Sequence, residues 1–294
     1  MLTDKVLGAY AAIATLPAAQ QAEWYRRAAG DWGIDTFEIP ILAGQPLAPE
    51  LVEVFTELPA ALVVTLVAQW AGRGQEHPAY GLAAPEGADR RTALLDAYSA
   101  LQHCAELSRQ GIRVRNLAVH TGCRSGDPIA HAISFHRSLV ELRQHTAAVL
   151  SDTTLCVELT DHRPLDYPVA FPAAKKASLT TDELVQTVAA VNRQTLAGPP
   201  IHLLVNWGRL LVNGDRPQVQ LDRLLRSEVP LAGVILSGAG ASPEGFTDSH
   251  NSHLDPESGF TPADAQACAR ALSDHVSIFS DSVPPLFHPR CTTR

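Results

Sequence analysis

Side chains that can transfer protons interrupt or follow several apolar segments of the sequence. Glu158 lies within the apolar segment LCVELT, His120 directly follows NLAV, and Glu38 interrupts TFEIPI. Carboxylates and imidazoles act as general acids and bases. We therefore predict that Glu158 is a general base or a metal ligand and that His120 is its acid or base partner. Ion pairs at strand ends for the two glutamates, and a hydrogen-bonded wall position for the histidine, are the structural alternatives.

The segment IHLLVNWGR ends in residues suited to holding a polar ligand. Asn206, Trp207 and Arg209 follow its apolar part directly. A guanidinium group binds a carboxylate, phosphate or sulfonate in a bidentate manner. An aromatic ring such as Trp207, or Tyr10 near the N-terminus, can pack against a sugar ring, although ordinary core burial is the commoner fate of such residues. We predict that these four residues, together with Glu38, bind substrate.

Two loops add further candidates. Lys175 and Lys176 precede a predicted helix, where a lysine and the helix N-terminus can together bind an anion. Two solvated lysines are an equally good interpretation, and we assign Lys176 to substrate binding as a hypothesis. His250, within DSHNSH, is a candidate acid or metal ligand because histidine, aspartate and asparagine all coordinate metals. A polar surface loop with turn-forming residues is the alternative.

Apolar, strand-like segments alternate with helical ones along the whole chain. Because strict alternation is typical of a parallel sheet covered by helices, eight such units in 294 residues predict a single α/β domain, a (β/α)₈ TIM barrel spanning residues 1–294. The alternative is an open doubly wound sheet, but no G-x-G-x-x-G follows the first strand, and we predict no nucleotide cofactor. The predicted strands cover residues 6–12, 34–41, 61–70, 114–122, 153–161, 201–208, 231–240 and 276–283.

Composition excludes some classes of function. The net charge of −8 disfavours non-specific binding to nucleic acid or to anionic membranes. No apolar stretch is long enough to span a bilayer, and the N-terminus lacks the basic region of a signal peptide. The five cysteines include no C-x-x-C pair, so we expect no disulfide framework. We therefore expect a cytoplasmic location. A homo-oligomer is compatible with the sequence.

The motifs VELTD, NWGR, LGAYAA and SGAGASPEGFTDSH resemble those of the xylose-isomerase-like TIM barrels. That superfamily includes sugar isomerases, ketose 3-epimerases, inosose dehydratases and DNA-repair enzymes of the endonuclease IV type. The last three motifs are most similar to those of an uncharacterised bacterial branch. The resemblance covers essentially the whole chain and implies a carbohydrate-like substrate.

The resemblance also implies a divalent metal, Mn, Mg or Zn. Such epimerases bind it through a Glu on strand five, an Asp on strand six, a His on or after strand seven and a Glu on strand eight. Glu158 matches the first position, Asn206 replaces the Asp, His250 is a candidate for the third, and strand eight offers only Asp281. An amide oxygen binds a hard cation more weakly than a carboxylate does, and Arg209 opposes a cation nearby. A weakened metal site and a metal-free site both remain open, and the second is favoured.

Three functions follow from these residues. The first is isomerisation or epimerisation of a sugar or sugar acid, phosphorylated or not, by proton transfer next to a carbonyl. Glu158 would be the base, and His120 or His250 the acid. The alternatives are a lyase or hydrolase that uses a metal-bound water, and a carbohydrate-binding protein without catalysis. A DNA-repair role is disfavoured because the chain is acidic and lacks a basic stripe.

Overall fold

Eight parallel strands close into a barrel. The structure, a computed structural model, describes residues 5–8, 13–85, 87–123, 127–162, 179–242, 245–247, 249, 255–272 and 277–280. The barrel strands are β1 (Lys5–Leu7), β2 (Thr36–Pro40), β3 (Ala61–Thr65), β4 (Arg113–Val119), β5 (Thr154–Glu158), β6 (His202–Asn206), β7 (Leu231–Leu236) and β10 (Ser277–Ser280). Pairing of β1 with both β10 and β2 closes the ring, which confirms the predicted (β/α)₈ barrel.

Alternate residues of each strand face the barrel interior and the surrounding helices. One apolar layer fills the interior: Val6, Val63, Ala118, Cys156, Leu204 and Ile235. Their neighbours on the strands, such as Leu155 and Val157 on β5, join the larger core between the sheet and the helices. Glu158 pairs in register with the inward-facing Leu204, so its side chain also faces the interior.

Side-chain caps mark the starts of several of the helices. They are α1 (Ala18–Trp32), α2 (Pro49–Glu57), α3 (Val67–Glu76), α4 (Ala88–Arg109), α5 (Pro128–Val149), α6 (Thr181–Asn192), α7 (Trp207–Val212), α8 (Pro217–Leu225) and α9 (Pro262–Ala271). Asp127 caps α5 through the Ile129 amide, and Thr180 and Thr261 form capping boxes at α6 and α9. A short hairpin of β8 (Gly240–Ser242) and β9 (Gly245–Thr247) precedes α9.

Two of the predicted strands include residues that form the start of a helix. The apolar run after Ala61 leaves the sheet at Thr65, whose hydroxyl accepts a hydrogen bond from the Val67 amide as α3 begins. The run after His202 leaves the sheet at Asn206, which caps α7. The prediction was wrong at both ends because apolar residues continue past the end of each strand into the first turn of the helix, and a continuous apolar run does not distinguish the two.

No helix in the described part of the chain combines the length and apolarity needed to cross a bilayer.

Candidate functional site

The carboxyl ends of four consecutive strands supply the polar residues of the candidate site. His120 directly follows β4, Glu158 ends β5, Asn206 ends β6 and Ser237 directly follows β7. These strands are neighbours in the barrel, in the order β4, β5, β6, β7. Parallel strands bring their carboxyl ends to the same mouth, which is where TIM barrels carry their active sites.

Hydrogen bonds join these four side chains into one chain. The His120 Nε2 and Glu158 Oε2 atoms lie 2.7 Å apart. The Asn206 amide nitrogen donates to Glu158 Oε1 over 3.0 Å. The Ser237 hydroxyl donates to Asn206 Oδ1 over 2.8 Å. Each carboxylate oxygen of Glu158 therefore has its own partner. The network spans the ends of four of the eight barrel strands.

The Glu158 carboxylate is held as an anion. Burial by itself would raise its pKa, since an ion loses hydration in the interior. The charge of His120, the hydrogen bonds from His120 and Asn206, and the charge of Arg209 outweigh that effect and lower the pKa to about 2. Glu158 is thus a hydrogen-bonded, permanently charged partner for the imidazole.

Stability should fall in acid because of this carboxylate. Its pKa is depressed from 4.5 to about 2 on folding, so the unfolded chain binds the proton more tightly. The contribution to the free energy of unfolding is complete above about pH 5 and is lost as the pH falls towards 2. The full effect is on the order of 3 kcal/mol. Urea denaturation at a series of pH values measures it, and Glu158→Gln should flatten the curve in this range. An unchanged pH dependence in that variant would contradict the assignment.

Both the oxygen and the nitrogen of the Asn206 side-chain amide form hydrogen bonds. Its Oδ1 accepts from the Ser237 hydroxyl and also from the Arg209 backbone amide, over 3.3 Å, as the cap of α7. Its nitrogen donates to Glu158. Because the oxygen must face two donors, the orientation of the amide is fixed by the network. Asn206 therefore joins the start of α7 to the anionic carboxylate.

Gly208 allows the start of α7 to approach the end of β7. A Cβ on Gly208 would lie 2.8 Å from Ser237 Oγ and 3.0 Å from the Ser237 carbonyl oxygen. That spacing is too tight for any other residue without movement of the backbone. The glycine of NWGR is therefore required by the contact that places Ser237 on Asn206.

Gly208→Ala should lower the free energy of unfolding by about 1–3 kcal/mol, because the added methyl overpacks a contact made by backbone atoms. The matched control is Gly30→Ala in α1, where a Cβ meets nothing within 4 Å. That change should instead raise stability by about 0.5–1 kcal/mol through helix propensity. Urea denaturation of both variants measures the two signs, and equal effects would refute the close approach at Gly208.

Arg209 and Asp161 bring a buried charge pair to the same mouth. Arg209 lies in the first turn of α7, and Asp161 lies three residues beyond the end of β5. One guanidinium nitrogen lies 3.6 Å from Asp161 Oδ1, and both side chains are at least 95% buried. The same buried guanidinium also acts on the charge of Glu158 and lowers the pKa of that carboxylate.

Aromatic side chains enclose His120. The Trp70 ring lies 6.0 Å from the His120 ring and also 6.0 Å from the Tyr80 ring, measured between centroids. The Tyr80 hydroxyl donates to Asp96 over 2.7 Å, and Gln69 and Arg73 contact the same Asp96 oxygen. The Nδ1 atom of His120 is buried and has no hydrogen-bond partner among the residues that the structure describes. The imidazole is thus anchored through Nε2.

A tight backbone crossing fixes the turn that follows His120. A Cβ on Gly81 would lie 2.5 Å from the Cys123 nitrogen, and the φ angle of Gly122 is +58°. Cys123 also has a positive φ, of 55°, and its amide donates to the Tyr80 carbonyl over 2.8 Å. Positive φ at a residue other than glycine costs energy and is concentrated at functional sites. The turn carrying His120 is therefore rigid.

The structure brings together four of the residues predicted from sequence: His120, Glu158, Asn206 and Arg209. Glu38 lies on β2, two strands away from β4, and is buried. The Trp207 ring is buried against Phe260, with 5.5 Å between centroids, so it belongs to the core around α7. Tyr10, Lys176 and His250 lie outside the described residues. Their predicted roles stay predictions.

Sequence reasoning missed Ser237 and gave Asp96 no role. Ser237 follows the apolar strand β7 just as His120 follows β4, so the same strand-end argument could have found it. Asp96 lies inside the amphipathic helix α4, where a buried aspartate has no distinctive sequence signal. Trp70 was assigned to the end of strand three, whereas it lies on α3.

The described residues do not fit a divalent metal. They contain no group of three or more His, Cys, Asp or Glu side chains placed to hold one. Both oxygens of Glu158 and the oxygen of Asn206 already accept hydrogen bonds, and Arg209 lies close by. A cation beside Glu158 would face the Asn206 N–H donor and the charge of Arg209, and both disfavour its binding.

Solved structures share this fold at low sequence identity. A D-tagatose 3-epimerase-like protein aligns with a TM-score of 0.61 at 10% identity, over 96% of this chain and 92% of that one. The 3-keto-D-glucoside 4-epimerase from E. coli aligns with a TM-score of 0.58 at 11% identity, over 97% and 95%. A xylose isomerase domain protein from Planctomyces limnophilus aligns with a TM-score of 0.62 at 12% identity, over 96% and 91%. At these identities the likeness shows the fold, a xylose-isomerase-like TIM barrel.

No curated protein matches the chain in sequence. One family model does match, over residues 6–281, and its description is domain of unknown function DUF4862. Because the match covers more than half of the chain, the protein is a member of the DUF4862 family with a xylose-isomerase-like TIM barrel fold.

Proposed function

We propose that the protein is an isomerase or epimerase that moves a proton next to the carbonyl of a sugar derivative carrying a carboxylate or phosphate. One observation carries the proposal: an imidazole anchored to an anionic carboxylate, with its second nitrogen unpartnered, at the mouth of a TIM barrel. Histidine is the commonest general base in proteins, and a carboxylate on one ring nitrogen sets the tautomer of the other.

The structure supports a division of roles that differs from the sequence prediction. Glu158 was predicted as the base, but a carboxylate with a pKa of about 2 and a donor on each oxygen takes up a proton poorly. In its neutral form His120 is better suited, because an anion at Nε2 favours the proton there and leaves Nδ1 with its lone pair. In the proposed reaction, Nδ1 removes the proton from the carbon next to the carbonyl. Glu158 stabilises the imidazolium that results.

Arg209 supports the choice of an anionic substrate. Its buried guanidinium can pair with a carboxylate or phosphate of the substrate, and it can also stabilise negative charge that develops on the carbonyl oxygen. The names of the structural neighbours, which include a D-tagatose 3-epimerase-like protein and a 3-keto-D-glucoside 4-epimerase, support a carbohydrate substrate. Return of a proton to the opposite face of the same carbon gives an epimer. Return to the former carbonyl carbon, together with transfer of the adjacent hydroxyl proton to the former carbonyl oxygen, gives an isomer.

A thermal-shift screen tests the proposed substrate class. Matched ligands would be compared: neutral ketoses and aldoses, the corresponding sugar acids, and the corresponding sugar phosphates. We expect at least one anionic sugar to raise Tm in a saturable way, while its neutral counterpart does not. Stabilisation by neutral sugars alone would contradict the role of Arg209. Binding of an anionic sugar with no turnover would favour a carbohydrate-binding protein without catalysis.

The metal-dependent lyase or hydrolase has less support. That chemistry needs a metal-bound water, and the donor set of the described residues does not fit the metal.

A further inference from the structure

We infer that Asn206 and Ser237 replace a divalent cation in this barrel, so that the site works through a hydrogen-bond relay that excludes metal. The strand-five and strand-six positions at which the related epimerases are expected to bind a metal are Glu158 and Asn206 in this chain. In the structure these two side chains are hydrogen-bonded to each other, and their other polar atoms bind His120, Ser237 and the Arg209 amide. The inference rests on the proposed function for its place in a reaction, although its test does not require turnover.

The relay occupies the atoms that a cation would need. The Asn206 nitrogen sits 3.0 Å from Glu158 Oε1, so an N–H donor points at the oxygen where a cation would bind. The Asn206 oxygen, the only atom of that side chain able to coordinate a metal, receives the Ser237 hydroxyl and the Arg209 amide. An amide oxygen has two lone pairs, and two donors use both.

The backbone holds this arrangement in place. The Arg209 amide that binds the Asn206 oxygen belongs to the first turn of α7, so rotation of the amide would uncap the helix. The close approach at Gly208 keeps Ser237 against Asn206. Swapping the amide oxygen and nitrogen to offer the oxygen to a metal would place the NH₂ group against the Arg209 N–H. The orientation that excludes a cation is therefore the one the fold enforces.

The charges agree with the geometry. Glu158 is compensated by His120 and Arg209, both of which lower its pKa. A cation arriving beside Glu158 would face the buried guanidinium and would have to displace the Asn206 donor. An aspartate at position 206 would reverse this balance. Its carboxylate and that of Glu158 would repel each other, and a cation between the two would relieve the repulsion.

Metal titration of Asn206→Asp tests the inference. Tm would be followed by scanning fluorimetry as MnCl₂ is added to the wild-type protein, to N206D and to N206D combined with E158Q. Bound Mn would also be counted after equilibrium dialysis. We expect no saturable shift in the wild type and a rise of about 5 °C in N206D at saturation, lost again in the double variant. Gln102→Glu adds a charge at an exposed site on α4 and controls for non-specific binding; it should behave as the wild type.

Three results would overturn the inference. The first is a saturable Mn²⁺ shift in the wild type that E158Q abolishes. The second is an equal lack of response in the wild type and N206D, because exclusion would then not depend on residue 206. The third is a response of N206D that persists in the double variant, because the metal would then bind elsewhere. None of these results depends on whether an anionic sugar binds or turns over, so failure of the proposed function remains distinguishable.

Discussion

Replacing Glu158 by glutamine is expected to abolish turnover and to destabilise the fold at neutral pH. The glutamine offers one acceptor and one donor to two donors, His120 Nε2 and Asn206 Nδ2. Either a buried donor faces a donor, or His120 moves its proton to Nδ1 and loses the basic nitrogen. We expect a loss of about 1–3 kcal/mol in the free energy of unfolding and of about 10²–10⁴-fold in kcat. Urea denaturation and steady-state kinetics measure the two effects.

Glu57→Gln is the matched control. Glu57 pairs with Arg26 over 3.0 Å at the surface, and the same chemical change there should cost less than about 1 kcal/mol. A Glu158→Gln variant that kept full activity on an identified substrate would show that Glu158 neither moves the proton nor positions the group that does.

Replacing Arg209 by methionine should have the largest effect on stability. Its removal takes the guanidinium away from the buried Asp161 carboxylate, and losing one partner of a buried ion pair costs about 3–5 kcal/mol. The anionic sugar found in the thermal-shift screen should also lose most of its stabilising effect. Chemical denaturation of the variant, with and without that ligand, measures both.

A double-mutant cycle distinguishes the interaction energy of the Asp161–Arg209 ion pair from the energy lost with the packing of the Arg209 side chain. Asp161→Asn removes the stranded charge, so the double variant should recover part of the loss, with a coupling energy of at least about 1 kcal/mol. Arg193→Met, at the surface pair with Glu228, should cost less than about 1 kcal/mol. Additive losses at Asp161 and Arg209 would mean that the two side chains do not stabilise each other.

The barrel was predictable because its signals are local and repeated. Apolar segments alternate with amphipathic helices, and caps such as Asp127 and Thr261 mark helix starts within the sequence itself. Strand ends were less predictable. Val67 and Trp207 continue the apolar runs of the strands before them, and the boundaries coincide with hydrogen bonds from the Val67 amide to Thr65 and from the Arg209 amide to Asn206.

The candidate site was predictable in its members but not in its chemistry. The strand-end argument selects His120, Glu158 and Asn206 from residue type and position alone. It does not show that Glu158 shares its two oxygens between His120 and Asn206, or that Ser237 fills the remaining lone pair of the amide. Those distances depend on how neighbouring strands align in register, and they support the proposal that Glu158 anchors His120 instead of acting as the base.

Deuterium incorporation into the sugar directly measures whether His120 removes a proton next to the carbonyl. The anionic sugar selected by the thermal-shift screen would be incubated in D₂O with the wild-type protein and with His120→Gln, and followed by NMR. If His120 removes the proton, the wild type places deuterium on one carbon next to the carbonyl. The His120→Gln variant loses this exchange while still binding the sugar. Exchange at the wild-type rate in His120→Gln, or a bound sugar that never exchanges in the wild type, would contradict it.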